Sequence, residues 1–194
     1  MLINRDAAIL HYQLYSRLFF QKTTLEDLHK YLDFIEESFP HEESHLWEMH
    51  DFFKTWLEKE NSESLEKRLN SEFTYLFHLW DGVRPYESVY RGKEPLLKQE
   101  PWVEVKNFYA KRGWYMDKQA FLEDHVSVEM SFMAHLLVEG EYEDARDFFL
   151  QHLGRWIPEL MRDISQNRYA DFYRVVSGHC LSFLEEERKY YEEY

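Results

Sequence analysis

Residues 124–137 read DHVSVEMSFMAHLL, and this stretch indicates the class of the fold. Its apolar side chains recur at intervals of three and four residues, at Val126, Met130, Met133 and Leu137. That spacing predicts an α-helix with one apolar face. Asp124 can cap the first turn of this helix, and Gly140 closes it.

The same periodicity recurs upstream. It predicts four more helices, with apolar stripes at Ile3 to Leu18, Leu25 to Phe39, Leu46 to Trp56 and Leu65 to Trp80. Thr24 can cap the second of them, with Asp27 three residues on, and Pro40 stops it. The fourth begins near Asn61.

Downstream, Pro101 suits the first turn of a short helix carrying Trp102, Val105 and Tyr109. A stripe from Tyr142 to Leu153 is followed by Gly154, and Pro158 fits the first turn of a helix through about Gln166. The last helix is expected from about Arg168 toward Arg188. Its inward residues are Phe172, Val176, Cys180 and Phe183, and residues 185–194 are expected to fray.

These patterns predict an all-α protein, a single-domain helical bundle over residues 1–194. Six of the eleven glycines and prolines fall in residues 82–113, which predicts a Gly/Pro-rich central connection between two helix-rich halves. No segment alternates like a strand over more than a few residues.

Charge and composition exclude several classes of function. The chain has 37 acidic and 23 basic residues and a net charge of -14, so it should repel nucleic acid and attract cationic peptides. The charge could equally serve only solubility. A single cysteine, Cys180, suggests a reducing compartment and is expected to be an inert core thiol. No signal peptide or membrane span is apparent, so we expect a soluble cytoplasmic protein.

Generic catalytic signatures are absent, but two Glu-x-x-His pairs occur, Glu26/His29 and Glu42/His45. This spacing places a carboxylate and an imidazole on one helical face, as in di-iron bundles. A metal site would need further inward carboxylates, and chance pairs are expected in so acidic a chain. No metal site is therefore predicted.

Two other groups of residues could bind a ligand. Asp124, His125 and Glu129 lie at the start of one helix, where they are either a cap with a surface histidine or a receptor for a cationic ligand. Tyr86 and Glu87 lie in the central segment, where they either fill a core slot or contact an arginine or lysine.

Four motifs, in order, resemble the TorD/DmsD/NarJ family of redox-enzyme maturation chaperones. Residues 72–77, EFTYLF, resemble its E-x-x-x-L-F element, and residues 85–90, PYESVY, resemble its proline-aromatic-x-S-V-x loop. Residues 124–133 resemble its D-H-x-x-x-E-x-x-F-M helix start, although Glu123 stands where the family often has proline. Residues 149–158, with His152 and Trp156, resemble its late helix pair, and Phe172 and Tyr173 fit its final helix.

The resemblance implies an all-helical cytoplasmic chaperone without enzymatic activity. Such relatives bind the twin-arginine signal peptide, or an N-terminal segment, of a molybdenum-containing oxidoreductase and hold it for cofactor insertion before export. It implies binding residues Tyr86, Glu87, Ser88, Asp124, His125 and Glu129. It implies structural roles for Glu72, Leu76, Phe77, Phe132, Met133, His152 and Trp156.

The sequence leaves other functions and the oligomeric state open. The alternatives are a helical metalloprotein enzyme that uses the Glu-x-x-His pairs and an acidic adaptor that docks folded partners. No cofactor is expected, and nucleotide or molybdenum-cofactor binding is implied by the resemblance alone. No nucleic-acid partner or stable membrane insertion is expected, and the chain is a monomer or a domain-swapped dimer.

Overall fold

A computed structural model describes residues 5–39, 45–59, 61–116 and 121–193, and these form helices joined by short connections. The α-helices are Arg5–Phe20 (α1), Leu25–Ser38 (α2), His45–Glu58 (α3), Ser62–Phe77 (α4), Glu87–Arg91 (α5), Glu100–Lys111 (α6), Val126–Val138 (α7), Tyr142–Phe148 (α8), Gly154–Gln166 (α9) and Phe172–Glu193 (α10). Within these ranges, extended pairing is limited to one bridge between Tyr86 and His125. The predicted all-α class is confirmed. None of the described helices combines the length and apolarity that crossing a bilayer requires.

Helix α7 lies at the centre of the bundle. It packs along α1 and against α8, and its predicted apolar residues Val126, Met130, Met133 and Leu137 are all buried. Ser127 and Glu129 on the same helix are buried too. A helix buried on nearly all sides must find partners for these polar groups within the protein, and this shapes the candidate site.

The upstream helix signals are largely confirmed. Thr24 and Asp27 form a reciprocal capping box at the start of α2, and Asn61 caps α4. The expectation that Trp80 extends the α4 stripe is wrong. The helix ends at Phe77 because the Val83 N–H donates to the Leu76 carbonyl at 2.8 Å, so the chain turns back there and leaves Trp80 89% exposed.

Residues 142–166 run as one continuous rod, which corrects the predicted break at Gly154. A π-helical turn, Phe149–Leu153, joins α8 directly to α9. Pro158 therefore lies inside α9 rather than in a first turn. Its missing N–H leaves the Gly154 carbonyl without the usual helical donor, and the Arg188 guanidinium of α10 donates to that carbonyl instead.

The last helix starts at Phe172 and continues through Glu193, so the expected fraying of residues 185–194 is wrong for the part described. Glu187 and Tyr191 are buried. The Glu187 carboxylate accepts hydrogen bonds from Arg5 at 2.6 Å and from Tyr12 at 3.0 Å, both on α1. No local sequence pattern predicts these contacts, which stabilise the C-terminal part of α10 against α1.

Glu72 explains where α10 begins. This buried α4 carboxylate accepts the backbone N–H groups of Asp171, Phe172 and Tyr173 at 2.7 to 3.0 Å. Those donors would otherwise be unsatisfied at the helix N-terminus, where a negative charge is also favourable. Leu76 is buried and Phe77 packs edge-on to Tyr173 at 5.3 Å. These contacts agree with a structural role for residues 72–77.

We expect Glu72→Ala to lower the free energy of unfolding by about 2–3 kcal/mol, because it leaves buried backbone N–H donors without an acceptor. Glu72→Gln, which keeps one acceptor oxygen, should lose about half of that. Chemical denaturation measures both. The control is Glu66→Ala, an exposed carboxylate on the same helix, with a change within about 0.5 kcal/mol. A Glu72→Ala protein as stable as this control would contradict the capping role.

Candidate functional site

The predicted binding residues meet where the segment 85–88 crosses the start of α7. The Glu87 N–H donates to the Asp124 carbonyl and the Val126 N–H donates to the Pro85 carbonyl, each at 2.9 Å. This pairing joins two loops that lie far apart in the sequence. It brings Tyr86, Glu87 and Ser88 next to Asp124 and His125.

Asp124 caps a different helix from the one predicted. Its Oδ2 accepts the Ser88 N–H at 2.9 Å, in the first turn of α5. His125 instead caps α7, because its Nδ1 accepts the Ser127 N–H at 3.2 Å. Since Nδ1 is an acceptor, the proton of the neutral ring lies on Nε2.

His125 is buried, so the alternative of a cap with a surface histidine is wrong. Its ring stacks on Phe121 with centroids 4.0 Å apart and meets the edge of Tyr86 at 4.9 Å. Burial lowers the pKa of His125 to about 3, and the ring is neutral at physiological pH. A neutral His125 adds no charge repulsion toward a cationic ligand.

Glu129 and Glu87 are also buried, and they contact Trp156 and His152 of the late helices. Glu129 Oε2 accepts the Trp156 indole N–H at 2.9 Å, and Glu87 contacts His152 Nδ1 at 3.1 Å and pairs with Arg91. Burial, with the neighbouring Glu87 carboxylate, raises the pKa of Glu129 well above its usual range. Burial also raises the pKa of Asp124. His152 and Trp156 therefore hold the acidic cluster in place.

The cluster is enclosed in this conformation. Glu87, Ser88, Asp124 and Glu129 are 0% exposed, and Tyr86 is half-buried. These residues hold α5 against α7 and α9. Their direct contact with a client stays a prediction.

A wide groove of about 680 Å³ lies on the surface beside this cluster, between the segment after α4 and α9. We call it the acidic groove; its lining includes Trp80, Asp81, Val83, Arg84, Val89, Tyr90, Pro95, Glu159 and Asp163. Sequence reasoning missed Glu159 and Asp163. Their only signal is a spacing of four residues on α9, which does not stand out among 37 acidic residues.

The Glu-x-x-His pairs do not assemble a metal site in the part described. Glu26 pairs with Lys30 at 2.6 Å, and the His29 ring contacts the Leu25 carbonyl at 2.7 Å. Glu42 and the side chain of His45 lie outside the described residues. Among the described side chains, no group of three or more His, Cys, Asp or Glu is placed to hold a metal ion.

Glu129→Gln should gain stability relative to wild type as pH rises from about 4 to 8. The raised pKa favours the protonated form of Glu129 in the folded protein, whereas in the unfolded chain this carboxyl ionises at about pH 4.3. Folding therefore loses free energy as the pH rises above that value. Glutamine mimics the protonated acid and removes this loss. Thermal or urea unfolding across that range measures the difference.

The control is Glu139→Gln, which removes an exposed carboxylate at the end of α7 and measures the general effect of losing one carboxylate. If Glu129→Gln destabilises the protein by the same amount at every pH, Glu129 is ionised in the folded state and the assignment is wrong.

The chain is similar in sequence to known proteins. The family model described as nitrate reductase delta subunit matches residues 36–162. The chaperone protein TorD of Aliivibrio salmonicida is 27% identical, over 96% of this chain and 95% of that one. TorD of Vibrio cholerae is 23% identical, over 96% of this chain and 92% of that one.

A solved structure extends the comparison to the fold. A candidate redox enzyme maturation protein from Archaeoglobus fulgidus superposes with a TM-score of 0.62, at 22% identity, over 90% of this chain and 92% of that one. The named sequence relatives are chaperones, which agrees with the prediction of a protein without enzymatic activity. The chain belongs to the nitrate reductase delta subunit family, the TorD/DmsD/NarJ group of redox-enzyme maturation chaperones that its motifs predict.

Proposed function

We propose that this chaperone acts in the cytoplasm, where it binds the twin-arginine leader or N-terminal segment of a molybdenum-containing oxidoreductase until the cofactor is inserted. The observation that carries the proposal is the acidic groove, which places carboxylates beside exposed aromatic and apolar side chains. A twin-arginine leader offers the complementary chemistry, two adjacent cations followed by an apolar stretch. The proposed binding uses the chain's own side chains and needs no cofactor.

Two carboxylates of α9 are placed to bind the two arginines of the leader. Glu159 and Asp163 are exposed and lie one helical turn apart, a spacing of about 5–6 Å between Cβ atoms that two neighbouring arginines can reach. Within the described structure, Glu159 has no ion-pair partner. Asp163 accepts the Tyr90 hydroxyl at 2.9 Å through one oxygen and keeps the other for a guanidinium.

The apolar stretch of the leader has a matching surface in the same groove. Trp80 is 89% exposed, and Val83, Val89 and Pro95 lie along the groove with it. An exposed tryptophan offers a large contact area that salt does not screen. The proposal therefore divides leader affinity into a salt-sensitive part from α9 and a salt-resistant part from Trp80.

The buried cluster supports this groove indirectly. Val89 and Tyr90 belong to α5, and Asp124 and Glu87 fix α5 through the Ser88 N–H and His152. We propose that Glu87, Ser88, Asp124, His125 and Glu129 act by positioning α5. Tyr86 is half-buried, whereas the other five residues of the predicted set are buried.

The combined variant Glu159→Gln/Asp163→Asn should bind a twin-arginine leader peptide about tenfold or more weakly at low salt, because it loses two charge-assisted contacts. Wild-type affinity should fall as salt rises, and this variant should show a smaller salt dependence. Fluorescence anisotropy with a labelled peptide measures both quantities.

The matched control is Glu143→Gln/Asp147→Asn, an exposed pair with the same spacing on α8. It removes the same charge and should bind almost as wild type does. Equal weakening by the two double variants would mean that net charge, rather than the groove, attracts the leader.

Trp80→Ser should weaken leader binding severalfold at both low and high salt, because the lost contact is apolar. Tyr115→Ser, at a residue 75% exposed outside the groove, is the control and should not change affinity. If Trp80→Ser binds the leader with wild-type affinity, Trp80 does not supply the proposed apolar contact.

A client enzyme that lacks its leader separates this function from that of an adaptor for folded partners. Isothermal titration with the same client, with and without the leader, should detect binding only when the leader is present. Equal affinity for both forms would favour the adaptor and contradict leader recognition.

A further inference from the structure

The connection between α5 and α6 exposes two consecutive leucines on the surface. Leu96 is 58% exposed and Leu97 is 45% exposed, and neither belongs to the lining of the acidic groove. Val103, in the first turn of α6, is a further exposed apolar residue. We call residues 92–99 the leucine loop. Adjacent exposed apolar side chains gain free energy when a partner removes them from water, so they mark a surface for binding.

The side chain of Gln99 holds the leucine loop in one shape. Its Nε2 donates to the Leu96 carbonyl at 2.9 Å and to the Glu94 carbonyl, and its Oε1 accepts the Glu94 N–H at 3.3 Å. At Gly92 a Cβ atom would collide with the backbone carbonyl of Ser88, so the loop can approach α5 this closely only with glycine at that position. The loop is therefore ordered by contacts of its own.

Lys98 adopts a backbone conformation that is uncommon for a residue with a side chain. Its φ is 59°, in the left-handed region. The hydrogen bonds of the neighbouring Gln99 hold the loop in this conformation. A loop that is already ordered loses less conformational entropy when its leucines are buried against a partner.

The charge around the leucine loop is opposite in sign to that of the whole chain. Residues 91–112 contain six basic and three acidic residues, whereas the chain has a net charge of -14. Lys93 and Lys98 are exposed on either side of the leucines, and neither forms an ion pair within the described structure. Lys98 and Lys106 lie 5.9 and 4.4 Å from the centre of the Trp102 ring. Leucine, tryptophan and lysine side chains together are typical of protein surfaces that lie in the interface of an anionic bilayer.

We propose that the leucine loop docks on the surface of an anionic lipid bilayer. Leu96 and Leu97 enter the boundary between headgroups and acyl chains, and Lys93 and Lys98 contact lipid phosphates. Acidic residues elsewhere on the chain oppose this contact only weakly, since exposed charges more than about 8 Å apart are largely screened at physiological ionic strength. The contact is peripheral and reversible, because two leucine side chains bury far less apolar surface than a spanning helix.

Cosedimentation with lipid vesicles, in the absence of any leader peptide, tests the loop independently of the proposed function. Wild type should bind phosphatidylglycerol vesicles more tightly than phosphatidylcholine vesicles, and the difference should shrink as salt rises. Leu96→Ser/Leu97→Ser should bind phosphatidylglycerol vesicles at least about tenfold more weakly at low and at high salt, because it loses apolar burial. Lys93→Gln/Lys98→Gln should lose a similar factor at low salt and much less at high salt.

The matched control for the leucines is Phe34→Ser/Val138→Ser, which changes side chains that are likewise 45% and 58% exposed. The control for the lysines is Lys22→Gln/Lys54→Gln, which removes two exposed cations outside the loop. Both controls should bind as wild type does, and circular dichroism verifies that all four variants fold. No vesicle binding by wild type, or equal weakening in the controls, would overturn the proposal.

A fluorescent label at Glu94→Cys reports whether the loop itself enters the bilayer, since the native Cys180 is buried and does not compete for the label. Its emission should shift to shorter wavelength on phosphatidylglycerol vesicles, whereas the same label at Val138→Cys should not shift. An unshifted label in the loop would contradict insertion. Sedimentation velocity examines the other occupant, a second copy of the chain. A dimer that Leu96→Ser/Leu97→Ser abolishes, without vesicle binding by wild type, would assign the loop to self-association and overturn the proposal.

Discussion

The pairing of residues 85–88 with the start of α7 is the contact on which the acidic groove depends. The Asp124 carboxylate accepts the Ser88 N–H, and the backbone bonds on either side hold the two loops in register. Helix α5 has five residues, too few for independent stability. The position of α5 is therefore set by these contacts, and its residues Val89 and Tyr90 line the groove.

The buried acids beneath α5 carry a physical cost that the structure offsets with specific partners. Glu87 pairs with Arg91 and contacts His152 Nδ1, whereas Glu129 lies in the same enclosed space and accepts the Trp156 N–H. Removal from water favours the protonated form of a carboxyl, which explains the raised pKa of Glu129. The cluster ties α5, α7 and the α8–α9 rod together, since each contributes at least one of its members.

The surface charge is organised along α9. Arg155 in its first turn lies outside the acidic groove, whereas Glu159 and Asp163 in later turns line it. Helix α5 packs against α9, and its residue Tyr90 lines the same groove. The net charge of -14 conceals this division, because it sums over the whole chain.

Local patterns in the sequence determined the helices and several of their ends. The capping box of Thr24 and Asp27, the proline in the first turn of α6 and the buried stripe of α7 all follow from residues within a few positions of one another. The four motifs also identified the family and most of the residues that gather in the buried cluster. In these cases the physical cause is short-range periodicity or capping, which a linear sequence displays directly.

Tertiary structure alone decided features that depend on partners distant in the chain. Asp124 could not be assigned to α5 without knowing that Ser88 lies beside it, and Pro158 is accommodated within α9 because Arg188 supplies a donor from α10. Burial of His125 and of the chain end at Glu187 likewise depends on what packs over them. The sequence by itself determined most of the helical segments, since the period of apolar residues is local. It did not predict α5, whose residues were expected to lie in the central connection. The tertiary structure decided which polar groups are buried, capped or exposed, because those depend on contacts between helices far apart in sequence.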